Sequence, residues 1–272
     1  MTGASHRSGP VRRAFADAVD AGRTALIVYL VAGFPDRAVA LRAAEAALDA
    51  GADALEIGVP FSDPLADGPV IAEAARDALA GGDGLAAALH LVRGLRSAGH
   101  SQPLLVMTYL NPLIARGAER TLAELAAAGV DGLIVPDLPA GELPDFERRA
   151  DAHRLAMSFL VAPNSAPERV AAAVTASTGF LYVVPLFGVT GVRDETAAGA
   201  VDLLRRMKAA AGSVPIAAGF GISRPEHIRR LGPSTDGLIV GSAVVTALRN
   251  GGPDAVHTLV ASLAAASRRV PA

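Results

Sequence analysis

The sequence predicts an α/β fold, a single (β/α)8 TIM barrel with an extra N-terminal helix. Eight short apolar segments, rich in Val, Ile and Leu, alternate with longer Ala-, Leu- and Arg-rich segments of helical period. The length of 272 residues fits one barrel of about 250 residues. No polar linker divides the chain, so we expect residues 1–272 to form one domain, with residues 1–9 flexible.

The predicted strands are continuous apolar runs, as expected for parallel strands that are covered on both faces. They span residues 24–31, 53–58, 103–109, 131–136, 156–161, 180–185, 214–218 and 236–240. The predicted helices that follow them span 37–50, 70–99 in two pieces, 117–129, 141–152, 166–177, 195–211, 224–231 and 242–268 in two pieces, and a leading helix spans 10–22. Because barrel active sites form from the loops after the strands, candidate residues are sought there.

The composition excludes several classes of function. A content of 51% hydrophobic residues excludes a disordered chain, and 25 basic against 27 acidic residues leave no basic excess for nucleic acid or an anionic membrane. The absence of Cys removes disulfides, thiolate nucleophiles and Cys-ligated metals. No apolar run reaches the ~18 residues of a membrane span and residues 1–13 contain no signal peptide, so we expect a cytoplasmic protein.

Two carboxylates are candidates for acid–base chemistry. Glu56 lies in the apolar second strand, and the strand period of two directs it into the barrel, opposite to Leu55 and Ile57. A buried carboxylate is costly unless it is paired or used, and burial raises its pKa towards neutrality, as a general acid or base requires. A structural glutamate bound to Arg or backbone N–H groups is the alternative. Asp67 follows in a Pro- and Gly-rich loop and could fold over the same mouth or simply cap the loop.

The loops after the seventh and eighth predicted strands indicate a phosphate site. Each is Gly-rich and opens a helix, in Gly219-Phe220-Gly221-Ile222-Ser223 and in Gly241-Ser242. Backbone N–H groups at helix starts bind anions, and this is the usual phosphate position in barrels. The segment Gly188-Val189-Thr190-Gly191 could add a third wall. A GxGxxG motif is absent from the first βα turn, which disfavours NAD.

The remaining residue types narrow the chemistry. The only lysine, Lys208, lies in a predicted helix, which disfavours imine chemistry and PLP attachment, and all six histidines map to helices or their ends, which disfavours a His-ligated metal. The chemistry that the residue types still allow is acid–base catalysis by carboxyl groups on a phosphorylated substrate, without a cofactor. An aromatic substrate is suggested by the aromatic residues near the predicted loops, although core packing explains any one of them equally well: Tyr29, Phe61, Tyr109, Tyr182, Phe187 and Phe220.

One long segment resembles the signature of the tryptophan synthase alpha chain family. It reads Leu55-Glu56-Ile57-Gly58-Val59-Pro60-Phe61-Ser62-Asp63-Pro64-Leu65-Ala66-Asp67-Gly68-Pro69. The agreement covers nearly the whole chain and includes Tyr29, Gly33-Phe34-Pro35, Tyr109-Leu110-Asn111-Pro112, Pro136-Asp137-Leu138-Pro139, Gly188-Val189-Thr190-Gly191, Gly219-Phe220-Gly221-Ile222 and Gly241-Ser242. The resemblance implies a carbon–carbon lyase of tryptophan biosynthesis, which splits indole-3-glycerol phosphate into indole and glyceraldehyde 3-phosphate by a retro-aldol step.

The resemblance also implies roles for individual residues. Glu56 corresponds to the family's acid–base glutamate, which helps to protonate indole C3 and takes the proton of the glycerol hydroxyl. Asp67 corresponds to the aspartate that holds the indole N–H and stabilises the positive charge developing on the ring. Substrate-binding positions are Tyr29, Tyr109, Tyr182 and Phe220, and phosphate-binding positions are Gly191, Gly221, Gly241 and Ser242.

The family works as an α2β2 complex in which indole passes through a tunnel to a PLP-bearing β chain. The resemblance therefore implies a β-chain partner, no metal and no cofactor in this chain, partner contacts around Asp63, Asn111 and Pro139, and closure of the loop 188–191 over the site. One departure weakens the expectation of loop closure and β-chain coupling. The chain has Val184-Pro185-Leu186-Phe187 where the family commonly has a small or polar stretch. Two alternatives stay open, a stand-alone lyase that releases free indole and a mainly regulatory phosphate-binding subunit.

Overall fold

Short buried strands alternate with helices along the whole described chain. In the computed structural model the strands are β1 Ala25–Val31, β2 Ala54–Gly58, β3 Leu104–Met107, β4 Gly132–Ile134, β5 Ala156–Ser158, β6 Leu160–Val161, β7 Leu181–Val183, β8 Ile216–Ala218 and β9 Gly237–Val240. The helices are α1 Pro10–Asp20, α2 Arg37–Asp49, α3 Pro69–Ala80, α4 Gly84–Ser97, α5 Leu110–Ile114, α6 Ala118–Ala128, α7 Pro144–Ala152, α8 Pro167–Ala176, α9 Asp194–Ala211, α10 Pro225–Leu231 and α11 Ser242–Ala266. The structure describes residues 9–65, 67–82, 84–184, 194–219 and 221–268.

The strands form one parallel sheet that follows the barrel order β5-β4-β3-β2-β1-β9-β8-β7-β6. The two outer members of this order, β5 and β6, are halves of one predicted strand, so the eight predicted strands are present and the predicted barrel is confirmed. The division falls at Phe159, whose backbone N–H donates to the Ser177 hydroxyl at 3.3 Å. Its carbonyl accepts from the Tyr182 N–H at 2.9 Å, which directs the second half of the strand towards β7.

Local sequence accounts for where the helices begin and end. Five helices begin at a proline, which has no N–H to leave unpaired at the first helical position: Pro10, Pro69, Pro144, Pro167 and Pro225. The start of α2 is capped by Asp36, whose Oδ1 accepts a hydrogen bond from the Val39 N–H at 2.8 Å. The last helix, α11, is interrupted at Gly252 (φ 67°), just before Pro253, which agrees with the two predicted pieces.

Helix α1 closes the N-terminal end of the barrel. The interior has small residues there, Ala54, Ala156 and Gly237 among them, and the side chain of Phe15 from α1 fills the space that they leave. A β-carbon at Gly237 would lie 2.6 Å from Cε1 of Phe15, and the Phe15 ring centroid is 5.4 Å from that of Phe180. Since α1 fills this end, the C-terminal mouth is where a substrate can enter.

A repeated contact ties neighbouring strands together at the N-terminal end. Three aspartates stand just before a strand, and each accepts a hydrogen bond from the backbone N–H at or near the start of a neighbouring strand and also pairs with a basic side chain. The three sets are Asp53 with Leu26 and Arg23, Asp131 with Leu104 and Arg96, and Asp236 with Ile216 and Lys208. Charge-assisted hydrogen bonds of this kind fix strand register more firmly than neutral ones.

One segment differs from its predicted structure. The sequence predicts a strand over 103–109 and a loop around Tyr109-Leu110-Asn111-Pro112, whereas β3 ends at Met107 and α5 covers Leu110–Ile114. The cap that starts this helix comes from Asp137, whose Oδ1 accepts from the Leu110 N–H at 2.9 Å. A cap supplied from another loop leaves no local signal in the sequence. Within the described ranges, no helix has the length and hydropathy needed to cross a membrane.

Candidate active site

Glu56 lies in the middle of β2 with its side chain 0% exposed. It is in register with Tyr29 on β1 and with Leu105 on β3. Neither carboxylate oxygen has a hydrogen-bond partner among the described residues. A structural role through Arg or backbone N–H groups therefore has no support in that part of the chain. A buried polar group without partners is costly to folding, which is typical of a group kept for function.

The environment of Glu56 favours its protonated form. Burial, and secondarily the negative charge of Asp67, raises the pKa of Glu56 from 4.5 to about 8. Near neutral pH the carboxyl group thus holds a proton that it can donate. A pKa in this range is what a general acid or base working near pH 7 requires.

Asp67 lies in the loop between β2 and α3, where its backbone N–H donates to the Pro64 carbonyl at 3.2 Å. The Tyr109 hydroxyl donates to Asp67 Oδ2 at 3.5 Å. Burial raises the pKa of Asp67 from 3.8 to about 6, and the hydrogen bond from Tyr109 opposes that rise. At neutral pH Asp67 is therefore charged while Glu56 is neutral, so the two carboxyl groups are prepared for different tasks.

Aromatic side chains surround the two carboxyl groups. The rings of Phe61 and Tyr109 are stacked with centroids 5.3 Å apart. Tyr29 and Tyr182 are both buried, and the pKa of each phenol is raised well above its usual value by burial and by the charges of Asp67 and Glu56. These hydroxyls thus stay protonated and can donate hydrogen bonds. An aromatic chamber with a few polar groups suits a flat, mainly apolar ligand.

Glycines make room for the two buried tyrosines. A β-carbon at Gly58 would lie 2.1 Å from the Tyr29 hydroxyl oxygen, and one at Gly219 would lie 3.2 Å from the Tyr182 hydroxyl oxygen. The Tyr29 ring also lies beside Gly241, where a β-carbon would be 3.5 Å from Tyr29 Cδ1. The tyrosines therefore extend across neighbouring strands at the mouth of the barrel.

The candidate phosphate site is at the start of α11. Gly241 precedes this helix and Ser242 is its first residue. The Gly241 carbonyl accepts from the N–H groups of Val244 and Val245 at 2.8 and 3.0 Å. The first N–H groups of a helix have no acceptor within the helix and face outwards, which suits an anion. Gly221, in the neighbouring loop after β8, has a φ of +64°, and among the described residues no atom lies within 4 Å of where its β-carbon would be.

Several sequence-based expectations fall on residues that the structure does not describe. Gly191, expected to bind phosphate, and Phe220, expected to bind the substrate, lie outside the described residues, as do the loop 188–191 and the departure at 185–187. Of the positions expected to face a partner, Asp63, Asn111 and Pro139 are exposed. Leu65, in the same loop as Asp63, is 86% exposed, the largest value among the exposed large hydrophobic residues of the described chain.

Other candidate chemistries can be compared with the residues that the structure describes. Lys208 is in α9 and pairs at 2.5 Å with Asp236, which directly precedes β9 at the end of the barrel opposite the mouth. Within the described ranges there is no group of three or more His, Asp or Glu side chains that could hold a metal ion. From the sequence, no role was predicted for Asp137, which caps α5 next to Tyr109. The sequence feature that could have indicated it is an Asp shortly after a predicted strand, in a turn flanked by prolines.

Comparison with known proteins gives consistent matches over the whole fold. A family model described as "Tryptophan synthase alpha chain" matches residues 15–269. The tryptophan synthase alpha chain of Chloroflexus aurantiacus is 43% identical over 244 residues, which are 90% of this chain and 91% of that protein. A crystal structure of tryptophan synthase from M. tuberculosis in its open form is 38% identical with a TM-score of 0.88, covering 97% of this chain and 100% of that one. The tryptophan synthase subunit alpha of Legionella pneumophila is 29% identical with a TM-score of 0.88, covering 95% of this chain and 98% of that one.

Proposed function

This chain belongs to the tryptophan synthase alpha chain family, and from that premise we propose that Glu56 and Asp67 perform the family's reaction at the mouth of the barrel. The chain is a carbon–carbon lyase of tryptophan biosynthesis, and it cleaves indole-3-glycerol phosphate by a retro-aldol step. One observation carries the assignment of roles. The carboxyl group of Glu56 is fully buried without a described hydrogen-bond partner, and the charged Asp67 is near it.

Glu56 moves the proton in this proposal. In its protonated form Glu56 donates its proton to C3 of the indole ring, which makes the ring cationic. The bond between C3 and the first glycerol carbon then breaks, and its electron pair returns to the ring. The hydroxyl on that carbon gives its proton back to Glu56 and becomes the aldehyde of glyceraldehyde 3-phosphate. One proton is gained at C3 and one is lost from the hydroxyl, so Glu56 ends each cycle as it began.

Asp67 stabilises the cationic ring. Its carboxylate accepts a hydrogen bond from the indole N–H, and the positive charge that develops on the ring in the transition state strengthens this hydrogen bond. Its pKa of about 6 keeps it charged at neutral pH, when Glu56 with a pKa of about 8 is still protonated. Tyr29, Tyr109 and Tyr182 enclose the indole ring and exclude water, which strengthens every charge interaction in the chamber. We place Phe220 with them on the basis of the family resemblance.

The substrate phosphate is assigned to the backbone at the other side of the mouth. We propose that it binds at Gly221, Gly241 and Ser242, with Gly191 as a further contact that rests on the resemblance alone. The start of α11 supplies outward-facing N–H groups, and no described atom lies within 4 Å of a β-carbon at Gly221, which would let a ligand approach the backbone there. We propose no cofactor or metal for this chain, because the two carboxyl groups supply the acid–base chemistry; PLP belongs to the β partner.

We further propose that the chain binds a β chain in an α2β2 complex and passes indole to it. The exposed Leu65 and the exposed positions Asp63, Asn111 and Pro139 support a partner surface next to the site. The stand-alone lyase remains the second candidate, because the sequence departs from the family at Pro185, Leu186 and Phe187. We also propose that residues 1–272 form one domain, which the single sheet supports. We further propose a cytoplasmic location, which cell fractionation would test.

The deciding experiment is the steady-state release of indole from indole-3-glycerol phosphate by the purified chain, alone and with a β chain. A slow rate that rises strongly with the β chain supports the α2β2 proposal. A fast rate that the β chain leaves unchanged supports the stand-alone lyase. No turnover under either condition, together with retained phosphate-ligand binding, would support a regulatory subunit and refute the roles of Glu56 and Asp67.

A further inference from the structure

The Pro136-Asp137-Leu138-Pro139 turn follows β4 and has no part in the chemistry described above. Its Asp137 reaches the neighbouring loop, where Oδ1 accepts a hydrogen bond from the Leu110 N–H at 2.9 Å. Leu110 is the first residue of α5, and no side-chain hydrogen bond from the preceding Tyr109 caps this helix. Asp137 therefore supplies from another loop the cap that α5 lacks locally.

The cap matters because α5 is very short. A helix of five residues has too few hydrogen bonds to hold its own position, so its placement depends on contacts from outside. Tyr109 precedes it with an extended backbone (φ −74°, ψ 162°), and its side chain turns into the chamber with 5% exposure. The position of the Leu110 backbone thus sets the position of the Tyr109 side chain.

Tyr109 is in turn the described hydrogen-bond donor to Asp67. The distance between its hydroxyl oxygen and Asp67 Oδ2 is 3.5 Å, at the long end of a hydrogen bond, where a small displacement loses the interaction. Its ring stacks on Phe61, which lies on the same loop as Asp67. An unbroken set of contacts therefore connects Asp137 with Asp67.

We propose that Asp137 is a positioning residue of the lyase reaction, which fixes the start of α5 and thereby holds Tyr109 against the Asp67 carboxylate. The inference rests on the role proposed for Asp67. Asp137 itself is exposed and is not expected to touch the substrate.

The test compares two substitutions at one position. In Asp137→Ala we expect kcat to fall about tenfold, the lower range for a weakened hydrogen bond to a charged group, with KM nearly unchanged. Asp137→Asn keeps an oxygen that accepts the Leu110 N–H, so we expect its kcat to stay near that of the unsubstituted chain. Asp36→Ala is the matched control, since the Asp36 carboxylate also accepts a backbone N–H in the first turn of a helix, and that helix, α2, carries no proposed site residue.

The pH profile separates positioning from a general loss of structure. The groups that interact with Asp67 are Tyr109, Glu56 from β2, Tyr29 from β1 and Tyr182 from β7. Without the Tyr109 hydrogen bond the pKa of Asp67 rises, so the acid limb of kcat moves to higher pH in Asp137→Ala and stays in place in Asp36→Ala. If Asp137→Ala does not fold, Asp137→Glu, which displaces the carboxylate by one methylene, serves instead and shifts the limb in the same direction.

A double-substitution cycle completes the test. Asp137→Ala should have little further effect on kcat in a Tyr109→Phe background, because the hydroxyl through which it acts is gone. Additive losses, or a fully active Asp137→Ala beside an inactive Asp67→Asn, would overturn this inference alone. An active Asp67→Asn would instead refute the proposed function on which it rests.

Discussion

The Tyr29 hydroxyl occupies the place that a β-carbon of residue 58 would need: a β-carbon at Gly58 would lie 2.1 Å from the phenolic oxygen and 2.5 Å from Cζ. The two residues are on adjacent strands, with Tyr29 in register with Glu56, two residues before Gly58. The tyrosine therefore crosses over β2 just above the buried carboxyl group. This crossing is possible only because residue 58 has no side chain.

Gly58→Ala should destabilise the chain and reduce activity. The added methyl group forces Tyr29 or the strand to move, and overpacking of this kind costs about 1–3 kcal/mol of unfolding free energy. Urea unfolding and kcat are the measurements. Gly68→Ala is the control, since a β-carbon there meets no atom of the described residues within 4 Å. Unchanged stability of Gly58→Ala would show that Tyr29 does not occupy this position.

Glu56→Gln should lose cleavage and keep ligand binding. The amide cannot exchange a proton with C3 or with the glycerol hydroxyl, and loss of a general acid–base group costs about 10²–10⁴ in kcat. The measurements are indole release and the Kd of an indole alkyl phosphate that lacks the glycerol hydroxyls. Turnover comparable with that of the unsubstituted chain would refute the assigned role.

The stability of the chain should fall with rising pH on account of Glu56. Its pKa is about 8 in the folded chain against 4.5 for an ordinary glutamate. Between these values the unfolded chain releases a proton that the folded chain retains, so unfolding becomes easier as pH rises, by about 5 kcal/mol at most. Glu56→Gln should lack this decline. Parallel curves of unfolding free energy from pH 4.5 to 8.5 for both proteins would contradict the expectation.

Asp67→Asn should lose most activity, because a neutral amide cannot stabilise the cationic ring. A preorganised electrostatic contact of this kind is worth about 10²–10³ in kcat. Binding of the indole alkyl phosphate should weaken much less, since the ring is uncharged in that ligand. A large loss of affinity at unchanged kcat would show instead that Asp67 acts in binding.

Gly221→Leu should weaken phosphate binding more than it weakens the fold. The position has a φ of +64°, which strains any side chain, and no described atom lies within 4 Å of a β-carbon there, so we expect a leucine to occupy the approach of the phosphate. We expect KM to rise about tenfold or more, as when several hydrogen bonds to a charged group are lost. Gly22→Leu is the control, since Gly22 has a φ of +66° and likewise no described atom within 4 Å of a β-carbon, but it precedes β1 at the opposite end. An equal rise of KM in both variants would contradict the assignment.

Much of the barrel could be predicted because its signals are local. The uninterrupted apolar runs indicate parallel strands, and a period of two places Glu56 inside, where the structure also has it. The predicted starts of the five helices that begin at a proline lie within three residues of the observed starts. These patterns depend on residues near each other in the chain, which sequence periodicity captures.

The parts that could not be predicted depend on contacts between distant residues. Helix α5 begins where Asp137 caps it from 27 positions away. The fifth predicted strand divides where the Ser177 hydroxyl accepts a hydrogen bond from the Phe159 N–H. The hydrogen bond between Tyr109 and Asp67 spans 42 positions. No pattern within one segment contains this information, so the divided strand, the short helix and the Asp137 contact required the folded structure.

The ion pair between Lys208 and Asp236 has a practical consequence for attaching the protein to a surface. Lys208 provides the only side-chain amine in the sequence, and it is near the C-terminal end of α9, on the side of the barrel away from the mouth. With 43% of its side chain accessible, it offers amine-reactive reagents a single side-chain attachment point. Molecules that are coupled to a sensor chip through Lys208, rather than through the α-amine of the chain, would therefore share one attachment point and have the substrate entrance on the side away from the chip.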